Sequence, residues 1–196
     1  MKNRCQWCED TFPEYVRYHD EEWGVPVTDD KAQFEFLVLE SAQAGLSWGT
    51  ILKKREGYRK AFANFDVEEV ARFDEQRIQQ LKQNPEIIRN EQKIRAAVNN
   101  AQKVIELQEH YGSFSNYIWS FVDGKPVNNR WTKLQQVPAT SEESDHLAAD
   151  LKKRGFKFIG STIIYAHMQA TGMVNDHTTS CFRHNEVEKM HQNFTL

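Results

Sequence analysis

Cysteine and histidine residues from both ends of the sequence could hold one metal ion. His177 and Cys181 are four positions apart, so one helical turn or a tight loop directs both side chains to one point. The N-terminal region offers Cys5, Cys8 and His19 as further ligands. Structural zinc takes four Cys or His ligands in a closed tetrahedron, and the ends of a domain often lie close together. The sequence therefore predicts a structural zinc site that joins the two ends.

Other interpretations of the cysteines stay open. Free cysteines are often small buried hydrophobes, and Cys5-Gln6-Trp7-Cys8 has redox C-x-x-C spacing. The redox motif requires a βαβ context that this chain lacks. A catalytic zinc is disfavoured, because two Cys and two His leave no open position for water. An odd number of cysteines is typical of a reducing cytoplasm.

Aromatic residues in the first fifty positions form a second group. Aromatic residues at this density usually form a core, but these are interleaved with polar residues, and flat side chains with polar rims suit a planar ligand. Glu40 ends an apolar run and lies in line with Phe36 and Gln43 on a helical wheel. A surface position for Glu40 is an equal alternative, whereas a buried carboxylate would need a cationic or hydrogen-bonding partner. The aromatic residues are Trp7, Tyr15, Tyr18, Trp23 and Trp48.

Helical periodicity dominates the elements that must position these residues. Asp66 with Glu69, and Thr140 with Glu143, are predicted capping boxes. A tight interruption at 84–90 and a loop from 123 to 138 separate helices, and no strand pattern is longer than 156–159. The prediction is a single all-α domain. The helix starts are predicted at Pro13, Thr28 or Asp30, Ser47, Asp66, Asp74, after Asn90, at Thr140 and at Ser161.

Composition narrows the class of protein. The 196 residues are 39% hydrophobic and 27% charged, which is typical of a globular domain. No apolar run could cross a bilayer and no secretory signal is visible, so we expect a soluble protein of the cytoplasm, away from membranes. A net charge of −3 does not indicate a nucleic-acid binder. The basic runs 53–55 and 152–157 are more typical of solvated helix faces, but transient DNA binding needs only one basic face.

Several long motifs, in order, give the chain a specific resemblance to the 3-methyladenine DNA glycosylase type I family from about Arg4 to Cys181. Short patterns occur by chance, but an ordered series of long ones does not. The motifs are Arg4-Cys5-Gln6-Trp7, Tyr18-His19-Asp20-Glu21-Glu22-Trp23-Gly24-Val25-Pro26, Gln43-Ala44-Gly45-Leu46-Ser47-Trp48, Ile87-Ile88-Arg89-Asn90, Lys152-Lys153-Arg154-Gly155-Phe156-Lys157-Phe158 and Val174-Asn175-Asp176-His177.

The resemblance implies a helix-hairpin-helix DNA glycosylase domain over residues 1–183, with one structural zinc ion per chain. Residues 184–196 have no family counterpart, and a disordered tail is the simplest interpretation of them. The implied zinc ligands, which leave Cys8 spare, are Cys5, His19, His177 and Cys181.

The implied activity is DNA repair by a monomeric, monofunctional N-glycosylase. It would flip 3-methyladenine out of double-stranded alkylated DNA and hydrolyse the N-glycosyl bond, which releases the free base and leaves an abasic site. Glu40 would be the catalytic residue that reads the base, because an ionised carboxylate accepts from adenine's amine and repels guanine's O6. Trp48 would stack on the base. The expected pocket walls are Trp7, Tyr15, Tyr18 and Trp23.

Two segments are the expected DNA contacts. The hairpin 84–90, with Ile88 and Arg89, would hold a phosphate. Gly45 and Leu46 form a turn from which Leu46 could wedge into the stack. The hairpin departs from the usual glycine-containing pattern, because it carries Pro85-Glu86, and no catalytic Asp is identified after it.

Two alternative functions share these residues. A zinc-clasped sensor would flip and hold alkylated bases without cleaving them. A zinc hydrolase would lose activity on chelation before it lost its fold.

Overall fold

Ten α-helices account for most of residues 2–196, the part of the chain that the computed structural model describes. Short 3-10 turns lie at 6–8, 63–65, 120–122 and 134–136. The helices are α1 Pro13–Glu21, α2 Asp30–Gln43, α3 Trp48–Ala61, α4 Val67–Ala71, α5 Glu75–Gln83, α6 Glu91–Tyr111, α7 Phe114–Trp119, α8 Glu142–Lys153, α9 Ser161–Ala170 and α10 Phe182–Gln192.

Helix α2 lies at the centre of the fold. Asp29, rather than Thr28 or Asp30, caps it by accepting a hydrogen bond from the Ala32 amide. Every residue from 33 to 42 is buried, because α3, α6, α7 and α9 pack around this helix. A helix surrounded in this way has no solvent face. Glu40 is therefore an interior residue with 3% exposure, and the surface alternative is wrong.

Side-chain caps fix most of the other helix starts. The predicted capping box at Thr140 and Glu143 is wrong by one residue. Ser141 and Ser144 form the box instead, and the Ser144 hydroxyl also lies 2.8 Å from that of Ser161. The predicted caps at the starts of α3, α4 and α5 are confirmed, with side chains that accept from the amide three residues on: Ser47, Asp66 and Asp74. Asp66 forms only its half of the predicted capping box, since the Glu69 side chain makes no return bond within the described residues. Asn90, which the sequence analysis placed just before α6, caps that helix in the same way.

A small pair of strands is the exception to the all-α prediction. Strand β1, Val127–Asn128, pairs in parallel with β2, Val174–Asn175. Each strand has two residues, too few to carry a detectable alternating pattern. The pair attaches the long loop after α7 to the segment that leads to His177.

The structure also differs from the disordered tail that was expected at residues 184–196. Residues 182–192 form α10, and His184, Val187 and His191 on this helix are buried. The Nε2 atom of His191 lies 3.0 Å from the carbonyl oxygen of Gly24. The packed domain therefore continues beyond residue 183.

The hairpin between α5 and α6 packs directly on α3. A Cβ atom built on Gly57 would lie 2.4 Å from the carbonyl oxygen of Glu86. The Tyr58 hydroxyl accepts the Ile88 amide at 3.2 Å, and Lys54 Nζ donates to the Pro85 carbonyl at 2.7 Å. The glycine that the hairpin itself lacks is thus supplied by the helix that it contacts.

Candidate functional site

A cavity of about 270 Å³ lies between α1, α2, α3 and α9. The structure brings all of the predicted base-binding residues to its wall, although they come from six separate positions in the first fifty residues. Two pairs of rings have edge-on geometry, Trp7 with Tyr15 and Trp7 with Trp23. The predicted residues on the wall are Trp7, Tyr15, Tyr18, Trp23, Glu40 and Trp48.

Glu40 is the acidic residue that α2 contributes to this cavity. Its Oε2 atom lies 3.0 Å from Nδ1 of the buried His167 on α9. Burial raises the pKa of the Glu40 carboxyl, while the charge of His167 and its hydrogen bond oppose that effect. The buried Oε1 atom has no hydrogen-bond partner among residues 2–196. A buried acceptor without a donor costs about 1–3 kcal/mol, so Oε1 is suited to a ligand.

Two further polar groups on the wall bear on ligand binding. The buried Nε1–H of Trp48 has no acceptor within the described part of the chain. Burial, and then the nearby Glu40, raise the pKa of the Tyr18 hydroxyl well above its usual value, so this hydroxyl keeps its proton. The cavity thus offers one free acceptor and free donors between aromatic walls, which fits a planar ligand with polar edges.

Asp176 is a wall residue that the sequence analysis did not assign. Its Oδ1 accepts from Asn129 and Trp131, each at 2.7 Å. Its Oδ2 accepts from Tyr165 at 2.7 Å and Gln169 at 2.8 Å. Four donors hold this carboxylate still, so it contributes fixed negative charge to the cavity. In the sequence, the feature that could have identified Asp176 as a site residue is its position next to the predicted metal ligand His177.

The sequence analysis assigned no role to the remaining wall residues. Gln6 and Gln43 stand in motifs that carry the family resemblance, and this was the available signal for them. The others gave no signal in the sequence, and they are Leu134, Val137, Ala166, Gln169 and Thr178.

A cluster of four residues that could hold a metal ion adjoins the cavity, and Cys5 belongs to both. Cys5, His19, His177 and Cys181 are buried, and their ligand atoms all lie within 4.8 Å of one another. This set agrees with the predicted ligands. Cys8 lies outside the cluster, and its thiol donates to the Cys5 carbonyl oxygen at 3.2 Å.

The spacing of the ligand atoms fits a tetrahedral ion. The sulfur of Cys181 lies 3.4 Å from Nε2 of His19 and 3.6 Å from Nδ1 of His177. Usual zinc bond lengths would separate sulfur from nitrogen by roughly 3.5 Å. A hydrogen bond from Cys5, and others from the two histidines, lower the pKa of the Cys181 thiol, which favours the thiolate that metals bind.

Outer contacts orient both histidine ligands. Nε2 of His177 lies 2.9 Å from the Trp23 carbonyl oxygen, so it donates there and leaves Nδ1 for a metal. Nδ1 of His19 lies 2.8 Å from Asp20, which Arg4 also binds at 2.7 Å. Contacts of this kind fix the tautomer and ring orientation of metal-binding histidines. The cluster can therefore hold one metal ion.

The predicted wedge turn lies on the surface. Leu46 is 41% exposed, and Gly45 has φ 78°. Lys93 of α6 donates to the carbonyl oxygens of Ala42 and Ala44, which fixes the turn to the helix after the hairpin. A second cavity of about 190 Å³ includes Leu46 and Gly45 and shares wall residues with the first. The wedge turn is thus next to the cavity.

The two hairpin residues that were expected to hold a phosphate differ in the groups that they have available. The Ile88 amide already donates to Tyr58. The Arg89 side chain is exposed and makes no hydrogen bond or ion pair within residues 2–196. Of the two residues expected to hold phosphate, Arg89 is thus the one with an available cationic group.

No helix among the described residues is both long enough and apolar enough for a bilayer crossing.

Comparison with known proteins gives one consistent result. The model of the methyladenine glycosylase family matches residues 7–184. DNA-3-methyladenine glycosylase 1 of Escherichia coli strain K12 is 47% identical over 178 residues, which cover 91% of this chain and 95% of that protein. The DNA-3-methyladenine glycosylase of Haemophilus influenzae is 45% identical over 181 residues, or 92% and 97%.

Solved structures agree. A crystal structure of 3-methyladenine DNA glycosylase I has a TM-score of 0.89 and 48% identity, and covers 92% of this chain and 98% of its own. The Staphylococcus aureus 3-methyladenine DNA glycosylase I, solved to explain 3-methyladenine recognition, has a TM-score of 0.89 and 39% identity, with coverage of 92% and 96%.

Proposed function

The chain belongs to the methyladenine glycosylase family, and we propose that it hydrolyses the N-glycosyl bond of 3-methyladenine in alkylated DNA. The products would be the free base and an abasic site, which is the first step of base excision repair. The relatives at 47% and 45% identity carry this activity in their names. The proposal includes a monomer that acts on double-stranded DNA.

One observation of the site carries the proposal. The free Oε1 atom of Glu40 belongs to a residue that lines a cavity with aromatic walls. A base inside a duplex cannot reach such a cavity, so the nucleotide must be flipped out. The adenine amine would donate to Oε1. The carbonyl oxygen of guanine in its place would face an acceptor and be repelled.

The positive charge of N3-methylated adenine explains why a small set of side chains suffices. Methylation weakens the glycosidic bond and makes the base a good leaving group, so acid catalysis is of minor importance. Aromatic faces and a carboxylate both favour a cationic base. Trp48 is the proposed stacking partner, and Glu40 the residue that reads the base and stabilises its charge. Water would attack the sugar carbon as the bond to the base breaks.

We propose zinc as the metal of the cluster, with Cys5, His19, His177 and Cys181 as ligands. The all-Cys/His donor set and the closed, buried geometry favour zinc in a structural role. The ion would tie the N-terminal segment to the segment before α10. Because Cys5 and Thr178 line the cavity, this tie would also hold one wall of the base site.

Contacts with DNA are proposed for Gly45, Leu46, Ile88 and Arg89. The exposed Leu46 beside the cavity is suited to fill the space that a flipped nucleotide leaves. The positive charge of Arg89 is suited to a phosphate.

Release of free base from methylated DNA is the decisive test. The purified protein should release 3-methyladenine from duplex DNA that has been treated with a methylating agent, and the released bases can be identified by chromatography. A sensor would bind the same DNA and release nothing. Binding without release would therefore show that the protein is a sensor of alkylated bases and not a glycosylase.

A further inference from the structure

His167 lies behind the cavity, in a chain of hydrogen bonds that ends at Glu40. The residue is fully buried and does not line the cavity. Its Nδ1 atom lies 3.0 Å from Oε2 of Glu40, and its Nε2 atom lies 2.7 Å from Oε1 of Gln33. Both ring nitrogens therefore face oxygen atoms.

The orientation of the Gln33 amide is fixed independently. Its Nε2 donates to the Val27 carbonyl oxygen at 2.7 Å, and Trp119 Nε1 donates to the same oxygen at 2.9 Å. A flipped amide would place its oxygen against that carbonyl, and two acceptors would meet. Oε1 of Gln33 must therefore face His167, and a neutral ring with one N–H cannot donate to both of its oxygen neighbours.

We propose that His167 is a positioning residue for base recognition: its imidazolium ion keeps Glu40 ionised and holds Oε2, so that Oε1 stays available for the base. This inference rests on the proposed function. An ionised carboxylate that accepts at both oxygens discriminates against guanine, whereas a protonated one would donate and lose that discrimination.

The surroundings of Glu40 leave His167 as its charge partner. Tyr18 approaches from α1 with a neutral hydroxyl, and Asp176 adds a negative charge from the segment after β2. On α2 itself, Glu35 pairs with Arg55 and Arg59 of α3. Lys93 of α6 donates to backbone carbonyls. Among the described residues, the ion pair of Glu40 is with His167.

The protonation state can be measured directly in the wild-type protein. Nitrogen NMR of histidine-labelled protein should show two protonated ring nitrogens on His167 near neutral pH, in the metal-loaded protein. The same heavy-atom positions would result if the proton lay on Glu40 and the ring were neutral. A spectrum with one protonated nitrogen would therefore overturn the proposal. This measurement requires no variant to fold.

Two substitutions of His167 separate the effect of its charge from the effect of the hydrogen bond by which it orients Glu40. His167→Phe keeps a ring but removes both donors, and His167→Asn keeps an amide donor near the position of Nδ1 without a charge. Loss of the imidazolium raises the pKa of Glu40, so the carboxylate is protonated at a higher pH. In a plot of 3-methyladenine affinity against pH, the affinity falls at low pH, where Glu40 is protonated; this part of the profile is its acid limb. The acid limb should move to higher pH in both variants. At a fixed pH on the limb, the affinity then falls about tenfold for each pH unit by which the limb has moved. Only His167→Phe should also lose affinity on the plateau.

The Glu40→Gln background is the matched control, because it has no carboxylate to titrate. His167→Phe should cause no displacement of the acid limb in this background, and the protonation of the ligand itself is common to all variants. A displacement that persists would come from another group and would overturn the proposal, as would an unchanged limb in the wild-type background. If the wild-type protein releases no 3-methyladenine, the proposed function fails, and the NMR result still decides the state of His167.

Discussion

Gly57 on α3 lies so close to Glu86 in the hairpin that a Cβ atom on the glycine would be 2.4 Å from the Glu86 carbonyl oxygen. The contact is with backbone, which cannot rotate away as a side chain can. The hairpin 84–90 therefore keeps its position against α3 only while residue 57 has no side chain.

Gly57→Ala should destabilise the protein by about 1–3 kcal/mol, as overpacking does in a close-packed interior, although alanine favours helices over glycine. Urea unfolding followed by circular dichroism would measure the loss. Gly49→Ala on the same helix is the matched control, because its Cβ would meet side chains and no backbone: the ring edge of Phe12 at 3.2 Å and that of Tyr15 at 3.6 Å. Equal stabilities for the two variants would show that the hairpin yields easily.

Cys181→Ser should lower both zinc content and thermal stability, since structural zinc in small domains contributes on the order of 10 kcal/mol to folding. Cys8→Ser is the control. Serine can still donate to the Cys5 carbonyl oxygen, so the variant should keep one zinc ion per chain. Elemental analysis and thermal melts of both variants test the assignment. A loss of zinc in Cys8→Ser would contradict it.

Glu40→Gln keeps the shape of the side chain but removes the charge that complements a cationic base. Hydrogen bonds to charged groups contribute about 1.5–3 kcal/mol, so free 3-methyladenine should bind at least tenfold more weakly and excision should fall. The fold should stay intact, which a thermal melt can verify. Calorimetric titration gives the affinity.

Trp48→Ala should weaken the binding of free 3-methyladenine by about 1–3 kcal/mol, the range for a lost stacking surface. The same titration applies. If neither this change nor Glu40→Gln alters the affinity, the base binds outside this cavity.

Leu46→Ala should slow excision from duplex DNA while leaving the affinity for the free base unchanged. The reason is that an apolar wedge acts on the DNA stack, whereas the free base needs no extrusion. Excision from single-stranded DNA of the same sequence, where less stacking must be broken, should be affected less. An equal loss on both substrates would argue against a wedge.

Borohydride trapping should give no covalent protein–DNA adduct on methylated substrate. A glycosylase that also nicks DNA attacks the sugar with an amine and forms a Schiff base. No lysine lies among the described residues that line the cavity. The strands should therefore keep intact abasic sites, visible as full-length DNA on a gel until they are treated with alkali.

The sequence was most informative where a residue type and its spacing are sufficient. The i, i+4 pair His177 and Cys181 indicated a metal, and the capping residues of α3 to α5 marked helix starts correctly. Spacing alone could not choose between Cys5 and Cys8, because either can reach the C-terminal pair. The choice of Cys5 required the resemblance, and the buried cluster agrees with it.

Non-local packing limited the rest. Whether Glu40 is buried depends on α9, which covers it with a residue 127 positions later in the chain. Helix α10 was missed because its buried face is largely polar. His184 and His191 on that face contact backbone carbonyl oxygens of Asn129 and Gly24, which no hydrophobic periodicity can signal.

The cluster of predicted metal ligands closes a very long loop, since Cys5 and His177 are 172 positions apart. The entropy of closing a loop grows only with the logarithm of its length, by roughly 0.6 kcal/mol for each doubling, so the distance is a modest thermodynamic obstacle. It has a larger effect on timing. Domains begin to collapse while synthesis proceeds, but Trp7 and Thr178 can form one wall only after Cys181 has left the ribosome. Because α8 and α9 also supply core residues, a nascent chain passes most of its synthesis with neither a complete helical core nor a pocket for a damaged base.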